Sequence, residues 1–381
     1  MRTAHISHHK SLLLALAAGL ALQACGSTTR SIVELDAIEF RARQADERVE
    51  VDTLDPDVLF KEAARLFTDK KFAESVAKYE VFLEHFPEDR AAPLAAFNAG
   101  LGREELQQWA PALTLHQRAL AGFTKESDRV DALFRIGNCQ EKLEQWAAME
   151  DTFEAALALK LSVMDRAEAW VRRGWAYQKL GDLTQAERAY KECLKVYNDN
   201  LHLRVFEGSY WVSMAQFQLG EIYRALFDGI AFRLPVERME RDLEDKSNLF
   251  LKAQAAYLRT VRLHNSQWSI AAGFRLGAMY EDFYTDMVEA EYPAELGEQE
   301  VALYFSELKK NILPLVQRAV EIYERNLTMS ERAGARGTEW AEKTQKHLAH
   351  LRGLLRDEER RIEEERRMDE EDARAPSAKL R

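Results

Sequence analysis

Small, bulky and aromatic residues recur along this chain in columns 37 residues apart. A small residue stands at Ala63, Gly100, Gly137 and Gly174. Nine positions on comes a large apolar residue, at Phe72, Trp109, Trp146 and Leu183. Seven further are Tyr79, His116, Phe153 and Tyr190, and three beyond those Phe82, Ala119, Ala156 and Cys193. Four columns held in phase through four copies identify a repeat, and each copy reads as a hairpin of two amphipathic helices, A and B. The small residue lets A and B approach, and the aromatic residues fill the space between hairpins. Only 8 prolines and 17 glycines interrupt 381 residues, which favours helix almost throughout.

After Asn200 the strict phase breaks. Leu219-Gly220-x-x-Tyr223 and Leu276-Gly277-x-x-Tyr280 restart helix A, with helix B columns at Ala253-Tyr257-Thr260 and Ala319-Tyr323-Asn326. These predict two enlarged hairpins with loops near Pro235 and Pro293. Residues 338–355 read as a closing helix, since a terminal repeat needs a cap. From Arg356 the chain alternates acid and base with i,i+4 partners and almost nothing apolar, which predicts a solvated helix that frays. The expected fold is all-α: an α-solenoid of helical hairpins, with four repeats over 56–200, enlarged hairpins and a capping helix over 201–355, and a charged tail over 356–381.

The fourth copy resembles the tetratricopeptide repeat (TPR), through Trp170, Gly174, Tyr177, Gly181, Ala186 and Tyr190. It departs from that pattern at Arg173, where Leu is usual. The usual period is 34, so each loop should be about one turn longer. The first copy, FAESVAKYEVFLEHFPED, is similar to periplasmic TPR proteins linked to outer-membrane assembly and to the Tol system. That similarity covers roughly residues 58–125.

Ahead of the repeats lies a basic start, MRTAHISHHK, and then an apolar run of 11 residues from Leu12 to Leu22. A bilayer needs about 20 apolar residues, so the run fits a signal peptide rather than a membrane span. It ends in Leu22-Gln23-Ala24-Cys25, which resembles the lipobox of bacterial lipoproteins. The resemblance implies cleavage between Ala24 and Cys25 by signal peptidase II, lipidation of the Cys25 thiol, and acylation of the new amino group. Gly26 follows in place of the Asp that retains enteric lipoproteins at the inner membrane, which implies the outer membrane, periplasmic face. His5, His8 and His9 fall in the cleaved segment of residues 1–24. Residues 25–55 read as the lipidated cysteine and a polar tether, with a short helix near Ile32 to Arg43.

Charge sharpens the partner class. The formal net charge is −11, and loss of residues 1–24 removes Arg2, Lys10 and no acid, leaving −13. So acidic a body repels phosphate backbones, and nucleic acid is set aside. No phosphate loop, dinucleotide fingerprint, HExxH or G-x-S-x-G is present, so neither a catalytic residue nor a cofactor is assigned. No metal is assigned either: His347 and His350 read as a solvated face. Cys139 and Cys193 read as buried structural thiols, and acidic pairs such as Glu104-Glu105 and Glu289-Glu291 as surface charge.

One constellation suggests binding. The fifth helix A position reads Phe60, Phe97, Phe134, Val171, and the sixth Lys61, Asn98, Arg135, Arg172; Asn138 stands at the ninth. TPR proteins that clamp a peptide carboxylate use Lys, Asn and Arg at such places, although Ala64 and Leu101 replace the clamp's Asn at the ninth position here. Either the phenylalanines line a concave groove beside a basic column, or they pack between hairpins and the basic column is solvated. The function expected is a lipid-anchored scaffold or adaptor that engages peptide segments of other envelope proteins. The alternative is an envelope protein that binds or acts on peptidoglycan.

The anchor is directly testable. Cys25→Ser removes the nucleophile for lipid transfer. The variant should lose lipid labelling and leave the outer-membrane fraction; unchanged labelling and fractionation would end the lipoprotein reading.

Overall fold

The computed structural model describes residues 39–45 and 48–374. The chain divides into two units, at Asp55 and Pro56. The first contains an antiparallel pair of strands, β1 (Glu39–Ala45) and β2 (Arg48–Leu54). This corrects the tether reading: Glu39 to Arg43 lies on a strand, not a helix, and residues 32–38, like Ala24 and Cys25, lie outside the described residues. The reason is a period of two. Val49-Glu50-Val51-Asp52-Thr53 alternates apolar and charged positions, and the register sets Ala42 opposite Val51 and Arg43 opposite Glu50.

The second unit is a stack of six helical hairpins and a last helix. The hairpins are α1 (Pro56–Thr68) with α2 (Phe72–His85), α3 (Ala92–Glu105) with α4 (Trp109–Gly122), α5 (Glu126–Lys142) with α6 (Trp146–Leu157), and α7 (Val163–Lys179) with α8 (Leu183–Asp199). Two larger ones follow, α9 (Tyr210–Asp228) with α10 (Val236–Arg262) and α11 (Ser266–Val288) with α12 (Glu298–Arg332). Helix α13 (Glu339–Arg374) packs on α12 and α11. The architecture is the all-α solenoid expected from the columns. Helix A of one hairpin also touches helix A of the next, as α7 does α9 and α9 does α11, so the A helices form the inner layer. Among the described residues no helix is long and apolar enough to cross a membrane.

Each hairpin closes where its small residue meets an aromatic ring. Gly100 lies against His116, Gly137 against Phe153, Gly174 against Tyr190, Gly220 against Tyr257 and Gly277 against Tyr323. All five rings are buried, as are Ala63 and Tyr79 at the same columns of the first hairpin. A Cβ on Gly137 would come within 2.5 Å of the Phe153 ring, so the column has no room for a side chain.

The A-to-B links of the first four hairpins have three residues each, so the added period falls between hairpins and in the helices. Each link holds one residue in the left-handed region: Lys70, Gln107, Glu144 and Gly181, with φ of 61°, 59°, 56° and 83°. Only the fourth copy supplies the residue that adopts this conformation without cost. Helix starts are fixed by side chains that accept from the first turn: Ser162 for α7, Asp182 for α8, Ser209 for α9 and Asn265 for α11.

The closing helix and the charged run are one helix, and the run is not wholly solvated. Glu358 pairs with Arg361 at 2.8 Å and with Lys309 of α12 at 3.6 Å, while Arg361 donates to Ser306 Oγ at 3.1 Å. The alternating charges find partners on α12 as well as one turn away.

Two substitutions in the third hairpin should act in opposite directions. Gly137→Leu overpacks the Phe153 contact and should lower stability by about 1–3 kcal/mol, helix propensity offsetting part. Glu144→Gly relieves the left-handed residue and should raise stability by roughly 0.5–1 kcal/mol. Thermal and urea unfolding followed by circular dichroism read both; a neutral Gly137→Leu would mean the glycine faces open space.

Candidate partner-binding face

The A helices carry the candidate residues, and with the small residue counted as position eight their roles can be read column by column. At the fifth position, Phe60 lies edge-on to Tyr79 and Phe82, at 5.4 and 6.0 Å between ring centres. Phe97 meets His116 at 5.3 Å and Phe134 meets Phe153 at 5.5 Å. Val171 is fully buried. The column therefore packs on helix B of its own hairpin, each phenylalanine keeping part of its surface exposed.

At the sixth position the basic and amide side chains already have partners. Exposed Lys61, on the first helix of the stack, pairs with Asp57 at 3.4 Å. Asn98 donates to the Tyr79 hydroxyl at 3.1 Å. Arg135 reaches Glu104 on the preceding A helix at 3.2 Å, and Asn138 donates to the same carboxylate oxygen at 3.3 Å. Arg172 reaches Glu141 on the preceding A helix and Glu168 on its own, both at 2.8 Å, and lies over the Trp211 ring at 4.8 Å. The pattern continues: Gln178 donates to Gln218 of the next A helix at 3.3 Å, and Arg275 pairs with Glu221 at 2.9 Å. From α5 onward the sixth position is an internal ladder that ties each A helix to the one before, while Asn98 ties α3 to the B helix α2.

Glu104 and His347 depart from the solvated roles read for them. The Glu104 side chain is only 9% exposed and also accepts from His116 at 2.8 Å. His347 lies 2.8 Å from Glu281 and edge-on to Phe274. Glu291 is exposed, as read, and accepts from the Leu234 backbone N–H. Cys139 and Cys193 are buried free thiols. Burial, and then the Glu104 charge, push the Cys139 thiol up to about 12, so it is not a reactive nucleophile. Burial also pushes the Glu168 carboxyl up against the pull of Arg172.

Where the ladder leaves space, hollows open on the inner face. One, between α1 and α3, is an apolar notch lined by Ala64, Phe67, Tyr79, Asn98 and Leu101. The other, about 230 Å³, lies where α5, α7 and α9 converge; Asn138, Glu141, Arg172, Trp175, Tyr210 and Trp211 line it, with Lys142 and Met214. Both are built from the ninth and twelfth positions of one A helix and the sixth and ninth of the next. Between them, the equivalent space beside Leu101 is filled by the Glu104, Arg135 and Asn138 cluster. The structure thus gathers Asn138 and Arg172 in one hollow and Asn98 in another, and leaves Lys61 apart. Trp175 was within reach of the sequence: it continues the Ala64, Leu101, Asn138 column by one more period. Tyr210 and Trp211 lie past the phase break and carry no such signal.

Residues 131–159 and 167–200 each match the tetratricopeptide repeat. The chain carries TPR repeats. No curated protein matches it. Solved structures similar to it include the C-terminal part of a TPR repeat-containing protein from Cytophaga hutchinsonii, 14% identical over 77% of this chain and 95% of that one, with a TM-score of 0.41. A tetratricopeptide repeat protein from Parabacteroides merdae is 15% identical over 76% of this chain and 98% of that one, at 0.38. YrrB, described as a TPR protein with an unusual peptide-binding site, is 19% identical over 53% of this chain and 86% of that one, at 0.37.

The ladder predicts which TPR cations are structural. Arg172, with its side chain 15% exposed, would on reversal to Glu face Glu141 and Glu168. Arg172→Glu should cost about 2–4 kcal/mol in urea unfolding. Arg135→Glu, on a side chain 47% exposed, should cost less. Equal and negligible effects would mean the ladder contributes nothing.

Proposed function

We propose that this chain is a non-catalytic scaffold of the bacterial envelope, held by a lipid on Cys25 at the periplasmic face of the outer membrane, and that its inner TPR face receives peptide segments of other envelope proteins. The observation that carries the reading is the hollow between α5, α7 and α9. Its Trp175, Tyr210 and Trp211 rings offer apolar area of low conformational cost, and Asn138, Glu141, Lys142 and Arg172 surround them with fixed donors and acceptors.

Because Arg172 is already bonded to two carboxylates, the face is not a bare cationic clamp. It suits a segment with an aromatic or aliphatic anchor flanked by groups that hydrogen-bond, more than one recognised by negative charge alone. The apolar notch beside Asn98 would hold a second anchor of the same extended segment, or of another. The lipobox resemblance supports the anchor, and an A-helix face repeated through six hairpins supports a scaffold.

Photo-crosslinking in intact cells tests this. A benzophenone amino acid at Tyr210, which is 40% exposed, should trap a small, reproducible set of envelope proteins. The same probe at Gln117 of α4 or Ala155 of α6, exposed on the outer B helices, should not. Crosslinks of equal yield and identity from the B positions would remove the inner face as the binding surface. Saturable binding of muropeptides, abolished by Trp211→Ala, would replace a protein partner with peptidoglycan.

A further inference from the structure

The second hairpin, together with the first helix of the third, departs from its neighbours at three buried or nearly buried positions. Its ring column carries His116, where the first, third and fourth carry Tyr79, Phe153 and Tyr190. Cys139 stands one period before Ala176 and one after Gly102, and Glu104 one period after Phe67. These three side chains, from α5, α4 and α3, converge. His116 Nε2 lies 2.8 Å from Glu104 Oε1, and Cys139 Sγ lies 4.0 Å from that same oxygen. All three donor atoms fall within 4.8 Å of one another. His116 and Cys139 are fully buried, while Glu104 keeps a narrow solvent edge.

The other carboxylate oxygen is used differently. Oε2 accepts from Arg135 at 3.2 Å and from Asn138 at 3.3 Å. These two bonds hold the carboxylate in one orientation and leave Oε1 directed at the imidazole and the thiol. Supporting donors that fix a ligating carboxylate are a regular part of protein metal sites.

We propose that Glu104 Oε1, His116 Nε2 and Cys139 Sγ bind a divalent transition-metal ion, zinc by the nature of the donors, which clamps the second TPR hairpin to the third. One thiolate, one imidazole and one carboxylate are a mixed set that suits zinc; calcium and magnesium demand oxygen ligands throughout. Tetrahedral zinc separates such donors by roughly 3.3–3.6 Å, given its usual bond lengths. The two spacings to Oε1 bracket that range and all three donors lie within 4.8 Å of one another, so side-chain adjustments of up to about 1.2 Å suffice. Water entering along the Glu104 edge would complete the fourth position.

Protons balance as follows. On binding, the Cys139 thiol releases its proton to solvent, and the imidazole carries its remaining proton on Nδ1, leaving Nε2 as the donor to the metal. The carboxylate and thiolate neutralise the dication, and Arg135 stays on Oε2. Without metal, the Glu104–His116 bond persists, so the ion adds a clamp to a fold that forms without it. The site does not depend on the partner reading of the inner face.

The test uses the full chain in detergent, titrated with Co²⁺ and then Zn²⁺. The native protein should develop the visible bands of four-coordinate cobalt and a thiolate-to-cobalt charge-transfer band, both saturating at one equivalent and both displaced by zinc. Zinc should also raise the unfolding temperature. Cys139→Ala and His116→Phe install the residues found one period on, at Ala176 and Phe153, and so are expected to fold. The first should lose the charge-transfer band, although Cys25 and Cys193 remain. The second should weaken binding by at least about a hundredfold, and Asn138→Ala by about tenfold. Absence of a cobalt spectrum in the native chain would overturn the site, whatever the variants do. So would a spectrum unchanged in both Cys139→Ala and His116→Phe.

Discussion

The structure depends on one contact, repeated: the A helix of a hairpin presents a residue with little or no side chain to the ring of its B helix. That contact sets how closely the two helices approach, and it also aims the ring. In four hairpins the polar end of the ring crosses the small residue and reaches a polar group on the A helix, whereas Tyr79 accepts from Asn98 of the next A helix. Tyr190 donates to Gln178, Tyr257 to Glu221 and Tyr323 to Glu281, while His116 bonds Glu104. The same four acceptors also hold the next A helix, through Gln218, Arg275, His347 and Arg135 respectively. Closure within a hairpin and attachment to its successor therefore meet at one side chain, and even α13 is joined by this device.

This coupling explains why the chain tolerates irregular spacing after Asn200. Gly220 and Tyr257 are as far apart as a helix A small residue and the next repeat's small residue are in the first half, and Gly277 and Tyr323 further still. The added residues lengthen α10 and α12 and their approach loops and leave the contact itself alone. A longer B helix slides its extra turns beyond the hairpin, provided that ring and glycine remain opposed. Buried Lys246 marks how the first extension is held: its ammonium donates to the Phe227 and Ile230 carbonyls at the end of α9 and pairs with Asp286. A fully buried cation persists only with partners of this kind.

The fold was legible because its determining contact is written as columns of unusual residues, glycine in mid-helix and aromatic rings in phase, which a single sequence displays. On the inner face the cations were legible in the sequence and their internal partners were not. Arg135 and Arg172 stand where a clamp's cations would, but their partners lie 31 residues earlier, at Glu104 and Glu141, among many acids that look alike in an acidic helical chain. Charge pairing across repeats becomes visible only when the acidic positions are set in the same register as the basic ones. The β pair was lost for a different reason: with so many helix formers downstream, a period of two over five residues from Val49 to Thr53 was outweighed.

A ladder satisfied internally changes how such a face selects a partner. Charges already bonded to neighbours are costly to redirect, so they fix geometry and exclude mismatched groups more than they attract. Affinity then falls to the places where the ladder leaves space. The larger hollow opens where the period changes from the fourth hairpin to the fifth. There α9 sets Tyr210 and Trp211 against the ninth and twelfth positions of α5, which lie two A helices away. Irregularity in the repeat, harmless to the ring-and-glycine contact, is thus what gives this surface a shape of its own.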